Sequence, residues 1–204
     1  MPKAELCYFP GSPYARMARV LIAEWSLPIT PVEWSFPPLD DLFRLNPLGQ
    51  VPALVEGDKA LFPTFLILER LWDVAGRPDD GYRPEDERQI LLTTLQAGDA
   101  MVAAFYQDWC GLRPVATNHI GYDLGARHLR RFAETLDWLE DHASAGRLRP
   151  GVTLPGVAAA CLLLWSEARG GPDWGGRERL WSLVRSLEDR PSFQATVPQV
   201  WSPG

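Results

Sequence analysis

The residues best placed to bind a ligand lie in the segment 46–54, which has the sequence NPLGQVPAL. Its first half is typical of turns, and apolar residues typical of a buried strand follow directly. Pro52 stands where that strand should begin, and a proline is tolerated only at a strand start, an edge or a bulge because it cannot donate to a sheet. Val51 is therefore predicted to be extended, with outward-facing backbone groups. An extended peptide could add there as an extra strand, although an ordinary loop-to-strand junction would have the same local sequence.

Two hydroxyl groups are predicted at the starts of helices. Ser12 precedes Pro13 and an apolar helical stripe, so Ser12 is predicted to be the N-cap and Pro13 the first helical residue. Thr64 follows Pro63 at the start of a second predicted helix. A helix N-terminus offers free N–H groups and a partial positive charge, so each hydroxyl could belong to an anion site. Simple capping is the alternative for both.

Other kinds of catalytic or metal site are not supported by the sequence. The histidines and cysteines are His119, His128, His142, Cys7, Cys110 and Cys161. They lack the spacing of metal ligands, so no metal site is expected. Ser12 lacks the Gly-x-Ser-x-Gly context of a nucleophile elbow. The glycine pairs at 170–171 and 175–176 lack the strand-to-helix context of a phosphate cradle.

Composition limits the possible partners and location. The 204 residues are 46% hydrophobic and carry a formal net charge of −6 without a basic cluster, which argues against nucleic acid and anionic membranes as partners. The longest apolar run, residues 157–165, is far shorter than the roughly 20 residues that span a bilayer. The N-terminus lacks the apolar core of a signal peptide, and the odd number of scattered cysteines suggests free thiols. The expected location is the cytoplasm.

The first part of the chain is predicted to form a small α/β unit. Strands are expected at 5–9, 29–34, 51–55 and 60–62, with a tight turn at 57–58. A short helix is expected at 39–45, and a longer helix begins at 63–64. The helix after Ser12 is expected to end at Leu27-Pro28, and its apolar stripe is Tyr14, Met17, Ala18, Leu21, Ile22 and Trp25. Strands and helices in this order predict a mixed α/β sheet domain.

The rest of the chain is predicted to be helical. A segment rich in Gly, Pro and Asp at 76–84 indicates a domain boundary. Helices are expected at 85–110, 122–143 and 177–189, followed by a proline-bearing tail at 191–204. The run 157–165 is apolar on all sides and predicts a central core helix.

The whole pattern resembles the glutathione transferase superfamily, as an atypical bacterial-type member. The resemblance is carried by 11–14 (GSPY), 46–54 (NPLGQVPAL), 61–64 (LFPT) and 190–193 (RPSF), in that order and before a helical half. It implies a thioredoxin-like glutathione-binding domain at 1–76 and an all-α domain at 85–204 that lines the acceptor site. It further implies a homodimer with a role in detoxification, no metal, and a cis peptide bond before Pro52.

The resemblance also implies roles for individual residues. Glutathione would be bound by Gln50, Val51, Pro52, Pro63 and Thr64, with the Val51 backbone pairing with its cysteinyl unit. Ser12 would be catalytic, because a hydroxyl donor at a helix N-terminus favours the thiolate. Tyr8 and Tyr14 are alternative hydroxyls. The acceptor pocket would comprise Tyr14, Met101, Phe105 and Trp109, although aromatic residues at helical spacing are more often core.

Two departures from the family pattern concern binding and folding. The family usually has an acid before the residue that corresponds to Thr64, and here Pro63 replaces it. Asp99 could supply the missing carboxylate from a partner subunit, although an Asp within a helix is more often simply solvated. The core helix should begin with a Thr or Ser followed three residues later by Asp, but Thr153 is followed by Gly156.

These observations give three hypotheses of function. The first is a glutathione transferase that conjugates the glutathione thiolate to a small apolar electrophile. The second is a non-catalytic binding or scaffolding protein of the same fold, which the loss of the acid at Pro63 favours. The third is a specialised glutathione-dependent lyase, isomerase or ether-cleaving enzyme that uses the same site.

Overall fold

A β-α-β crossover opens the fold and builds the sheet on which the cleft lies. The computed structural model describes residues 4–34, 40–78, 84–111 and 123–200. Strand β1 (Ala4–Tyr8) is followed by helix α1 (Pro13–Glu24) and by strand β2 (Ile29–Glu33), which pairs with β1 in parallel. After helix α2 (Asp40–Leu45), strands β3 (Ala53–Glu56) and β4 (Lys59–Leu61) form an antiparallel hairpin. Because β3 also pairs antiparallel with β1, the sheet order is β2-β1-β3-β4.

Helices make up the rest of the described chain. Helix α3 (Thr64–Val74) closes the sheet unit. Helices α4 (Pro84–Trp109), α5 (Leu124–Ser144), α6 (Leu154–Glu167), α7 (Glu178–Glu188) and α8 (Pro191–Gln194) follow. The expected fold class, a mixed sheet with helices followed by a helical half, is confirmed. The domain boundary remains a prediction, and most of the linker expected at 76–84 lies outside the described residues.

Helix α6 is the centre of the hydrophobic core. Every residue from Leu154 to Ser166 is buried, which confirms the helix that the apolar run predicted. Thr153 caps the helix, because its Oγ1 accepts a hydrogen bond of 3.1 Å from the Gly156 amide. An acid three residues later is therefore not needed for the cap to form. Helix α6 packs against α1, α4 and α7, so it joins the sheet unit to the helical half.

Several predicted boundaries shift by a few residues. Helix α1 ends at Glu24, before the expected Leu27-Pro28, and Trp25 is its C-cap. Strand β3 begins at Ala53 instead of 51, since Pro52 has no N–H with which to join the ladder. A short helix, α8, lies in the segment that was expected to be a proline-bearing tail. The start predicted for α5, at 122, and the start predicted for α2, at 39, lie outside the described residues.

Candidate functional site

A cleft of about 1100 Å³ lies between the sheet unit and helices α4 and α6. Its sheet-unit side is lined by 9–14, 33–34, 48–51 and 63–65. Its helical side includes Leu95, Asp99, Phe105 and Trp109 of α4 and Trp165 of α6. The cleft therefore brings together Ser12, Gln50, Val51, Pro63 and Thr64, which lie in three separate segments of the sequence.

Ser12 is the N-cap of α1, as the sequence predicted. Its Oγ accepts a hydrogen bond of 3.2 Å from the Ala15 amide, and its own amide donates to the Phe9 carbonyl at 3.0 Å. Accepting one hydrogen bond leaves the hydroxyl proton available to donate. The capping and catalytic interpretations are therefore compatible. The proton can be donated to a ligand in the cleft at the positive end of the α1 dipole.

The segment before Val51 is held in place by Asn46. This side chain is buried, with Nδ2 donating to the Gln50 carbonyl at 2.7 Å and Oδ1 accepting from the Leu48 amide at 3.0 Å. Gly49 has a φ of +60°, and a Cβ there would lie 2.4 Å from the Phe43 ring. These contacts fix the approach to Val51, and the Val51–Pro52 peptide bond is cis.

Not every residue expected to bind glutathione faces the cleft. Gln50 and Val51 line it, whereas the side chain of Pro52 is buried and does not. Pro52 was assigned to the glutathione-binding residues, but its buried side chain belongs to the scaffold behind the cleft.

The start of α3 forms the other end of the sheet-unit wall. Pro63 is the N-cap and makes no side-chain capping bond, and the Phe62–Pro63 peptide bond is also cis. Thr64 is half-buried, lines the cleft and has no side-chain hydrogen bond to another described residue. Its hydroxyl is therefore an uncommitted donor in the cleft. The amides of Thr64 and Phe65 are the first two N–H groups of α3 and precede the Leu66 amide, which donates to the Pro63 carbonyl at 3.0 Å.

Tyr14 and Asp99 form a polar contact across the cleft floor. The Tyr14 hydroxyl donates to Asp99 Oδ1 at 2.6 Å and approaches the Leu95 carbonyl at 3.4 Å. Burial and the negative charge of Asp99 raise the pKa of Tyr14 far above its ordinary value. Tyr14 therefore stays protonated at neutral pH, and its proton is already engaged. Asp99 faces the cleft of its own chain.

Tyr8, the other alternative hydroxyl, is engaged elsewhere. Its ring is 9% exposed and does not line the cleft. Its hydroxyl donates to Glu33 Oε2 at 3.1 Å. Burial raises the pKa of Tyr8, opposed by the nearby Arg19. Of the three candidate hydroxyls, only that of Ser12 faces the cleft with an uncommitted proton.

An aromatic wall lines the helical side of the cleft. The Phe105 ring stacks with Trp109 at 6.1 Å between centroids and meets Trp165 edge-on at 5.1 Å. The ring centroids of Tyr106 and Trp109 lie 5.8 Å apart. Trp165 was expected to be a core residue of α6. It is indeed buried, but one edge faces the cleft, and its Nε1 donates to the Gly11 carbonyl at 2.8 Å.

Met101 does not belong to this wall. It is 2% exposed, packs in the main hydrophobic core and does not line the cleft. Residues four positions apart on a helix point in directions that differ by about 40°. That rotation directs Met101 towards the core of the helical half, while Phe105 reaches the cleft. The assignment of Met101 to the acceptor pocket is wrong.

Two residues at the rim were not found from the sequence. Arg169 follows the end of α6, and Gln199 lies in the C-terminal segment. Arg169 Nη2 donates to the Gln199 carbonyl at 2.6 Å and approaches the Gly11 carbonyl at 3.4 Å. No sequence motif marks either residue, because both reach the cleft only through the packing of α6 beside the 9–12 loop.

No metal site or membrane-spanning helix is found in the part of the chain that the structure describes. There, no group of three or more His, Cys, Asp and Glu residues could hold a metal ion. None of the described helices is long and apolar enough to cross a membrane. Cys7 and Cys161 are buried and Cys110 is exposed, and none of the three forms a disulfide.

Comparison with known proteins identifies the family to which this architecture is similar. Residues 11–73 match the family model described as glutathione S-transferase, N-terminal domain. No curated protein matches the chain. The resemblance inferred from the four motifs is thus confirmed by an independent family model over residues 11–73, which contain three of those motifs.

Solved structures of similar fold extend over almost the whole chain. A glutathione S-transferase from Methylobacillus flagellatus with glutathione bound is 24% identical, with a TM-score of 0.81, covering 97% of this chain and 100% of that one. One from Methylobacterium radiotolerans, in complex with glutathione sulfonate, is 25% identical, with a TM-score of 0.77 and coverages of 99% and 98%. A family member from Pseudomonas fluorescens with bound glutathione is 24% identical, with a TM-score of 0.79 and coverages of 97% and 100%.

Proposed function

We propose that this chain, which has the fold of the glutathione S-transferases, is a glutathione-dependent transferase in which Ser12 stabilises the thiolate. The observation that carries the proposal is the uncommitted proton of Ser12 in the cleft. The hydroxyls of Tyr8 and Tyr14 already donate to Glu33 and Asp99. A free thiol has a pKa near 8.5, and a hydrogen bond donated to sulfur at a helix N-terminus lowers it.

The sheet-unit wall offers what an extended, anionic tripeptide needs. The Val51 backbone would pair with the cysteinyl unit, whose sulfur would then lie towards Ser12. The γ-glutamyl carboxylate would take the free donors at the start of α3 and the Thr64 hydroxyl. Gln50 adds an exposed amide beside Val51. Pro63 contributes shape but neither charge nor an N–H group.

The reaction would be a nucleophilic displacement by the thiolate. The thiol proton passes to water, the sulfur forms a bond to an electrophilic carbon, and the leaving group departs with the electron pair. The electrophile would lie against Phe105, Trp109 and Trp165, whose rings give it an apolar surface. Tyr14 completes the floor between the two halves of the cleft.

The test is calorimetric titration with glutathione followed by a conjugation assay with 1-chloro-2,4-dinitrobenzene. We expect binding below millimolar concentration and turnover that falls roughly 10- to 100-fold in Ser12→Ala, since one hydrogen bond to a charged group is worth about 1.5–3 kcal/mol. The pKa of the bound thiol, followed by its ultraviolet absorbance, should rise in the variant. Thr64→Val serves as a comparison, because it should weaken binding without changing that pKa. Absence of binding at millimolar glutathione would disprove the proposal.

One observation favours a second candidate function. Pro63 leaves the ammonium group of the γ-glutamyl unit without a carboxylate at the start of α3. If glutathione fails to bind, the same cleft would serve a non-catalytic binding or scaffolding role. If it binds but no halide is conjugated, a glutathione-dependent lyase or isomerase reaction would be the next to assay.

We also propose that the protein is a homodimer in the cytoplasm with a role in detoxification. Large apolar side chains that are exposed in the single chain and do not line the cleft support the dimer, and they include Phe43 and Leu66. Such side chains are found at contacts between subunits more often than on free surfaces. Sedimentation velocity measurements would test the dimer, and a monomer at micromolar concentration would contradict it.

A further inference from the structure

We propose that Arg169 selects acceptor substrates that carry a carboxylate on an aromatic electrophile. The inference rests on the proposed function for the reaction itself, but the binding preference can be measured without turnover. Arg169 lies half-buried at the rim of the cleft, directly beyond the aromatic wall and next to the 9–12 loop that carries Ser12. It is the only Lys or Arg among the described residues that line the cleft.

The position of the guanidinium is fixed by its neighbours. Its Cζ lies 4.3 Å over the Trp165 ring and 5.7 Å from the centre of the Phe105 ring. Nη2 is held by the carbonyls of Gln199 and Gly11. Stacking and carbonyl contacts therefore orient the group, so a ligand does not need to order a mobile side chain.

The charge of Arg169 is not neutralised by the part of the chain that the structure describes. No carboxylate there forms an ion pair with it, and Nη1 is shielded from solvent without a hydrogen-bond partner. Burial lowers the pKa of Arg169, opposed by Tyr106. A half-buried cation with an unused donor is costly unless a counter-charge is supplied.

Arg185 is an internal comparison for this arrangement. Its guanidinium is also stacked, 4.0 Å over the Trp181 ring. Unlike Arg169, it ends between two carboxylates, Glu167 at 2.9 Å and Glu188. Arg185 is thus neutralised by acids of the protein itself, whereas Arg169, in the cleft, has no such acid among the described residues.

The chemistry that fits this arrangement is a flat ring bearing a carboxylate. The ring would pack on Phe105 and Trp165, and the carboxylate would accept hydrogen bonds from the guanidinium. The other charged residues that line the cleft, Glu33 and Asp99, are acids, and both accept a hydrogen bond from a tyrosine. An anionic substituent would therefore be favoured at the Arg169 end of the cleft and disfavoured near Asp99.

The test compares an acid with its neutral ester. Binding of 3,5-dinitrobenzoate and of methyl 3,5-dinitrobenzoate is followed by quenching of tryptophan fluorescence and by calorimetry. We expect the wild type to bind the acid about tenfold more tightly, which corresponds to 1.4 kcal/mol at 25 °C. Arg169→Met should abolish the preference, and Arg169→Lys should retain part of it. Arg185→Met is the matched control and should keep it.

Conjugation provides the second readout. With glutathione, the ratio of kcat/KM for 4-chloro-3,5-dinitrobenzoate to that for its methyl ester should fall about tenfold in Arg169→Met, mainly through KM for the acid. The thiolate sulfur bonds to the ring carbon and chloride leaves in both cases. The preference should also shrink at 1 M salt, because ions screen the charge.

The outcomes separate the two proposals. Equal binding of acid and ester by the wild type, or an unchanged preference in Arg169→Met, would overturn the role of Arg169 whether or not glutathione binds. A raised thiol pKa in Arg169→Met with unchanged preference would instead assign the arginine to the thiolate. Tight binding of the acid without any glutathione binding would disprove the transferase and leave the anion selectivity standing.

Discussion

The Tyr14 hydroxyl donates a 2.6 Å hydrogen bond to Asp99 Oδ1 and so joins helix α1 of the sheet unit to helix α4 of the helical half. Tyr14 lies two residues after Ser12 in the sequence, and its contact with Asp99 faces the same cleft. It is possible only because position 98 is glycine, where a Cβ would lie 2.9 Å from the Tyr14 hydroxyl. A hydrogen bond that connects the two halves of the molecule is thus part of the candidate site.

Removing this hydroxyl should loosen the two halves. We expect Tyr14→Phe to lower the free energy of unfolding by about 1 kcal/mol, at the low end for a bond to a charged group because Asp99 is exposed. Urea denaturation measures the change. Asp99→Asn, which keeps an acceptor, should cost less. A Tyr14→Phe protein as stable as the wild type would show that the contact does not contribute in solution.

The close approach at Gly98 can be tested by adding a single methyl group. In Gly98→Ala, the Cβ would lie 2.7 Å from Leu162 Cδ2, so we expect overpacking to cost about 1–3 kcal/mol. Thermal and urea unfolding measure the cost. The double variant with Leu162→Ala should lose less free energy of unfolding than the sum of the losses in the two single variants. The shorter side chain at position 162 leaves the space that the added methyl group at position 98 needs. Strict additivity would contradict the packing described.

The aromatic wall should affect acceptor binding but not glutathione binding. We expect Phe105→Ala to raise KM for an apolar electrophile about tenfold, since the ring contributes stacking and buried area, while the Kd for glutathione changes little. Met101→Leu is the control, because Met101 lies in the core and a swap of similar volume is tolerated. A larger effect on glutathione binding than on acceptor KM would place the ring in the other half of the cleft.

The acid dependence of stability should include a contribution from Glu24. Its carboxylate accepts hydrogen bonds from Arg190 at 2.8 Å and 2.6 Å and from Ser192. The hydrogen bond from Arg190 is the main cause that holds the pKa of Glu24 below its ordinary value of 4.5. The stabilisation is therefore complete above about pH 4.5 and is lost as the pH falls below it, through the folded-state pKa.

We expect Glu24→Gln to be less stable than the wild type at pH 7, with a difference that shrinks as the pH falls below 4.5. Urea unfolding between pH 7 and pH 3 measures it. Glu134→Gln, which removes an exposed i,i+4 partner of Arg130, is the comparison and should change the free energy of unfolding at pH 7 by less than about 1 kcal/mol. A constant difference for Glu24→Gln across this range would contradict the lowered pKa.

Sequence determined the features that depend on local chemistry. The apolar run at 157–165 fixed α6 as the core helix, and Ser12-Pro13 fixed the start of α1, because burial and capping act over a few residues. The four motifs were enough to indicate the resemblance to glutathione transferases, and the matching family model covers residues 11–73. They also identified Ser12, Gln50, Val51 and Thr64, which do line one cleft. The roles proposed for these residues remain to be measured.

Only the tertiary structure decided which side chains share the cleft and which protons remain free. Helical spacing placed Met101 with Phe105, but the rotation of α4 directs Met101 into the core. Tyr14 and Tyr8 could each have served as the hydroxyl until their contacts to Asp99 and Glu33 were known. Arg169 has no sequence signature, since the role proposed for it rests on the absence of a counter-charge among the described residues. Such properties depend on residues distant in the chain, which a local pattern does not contain.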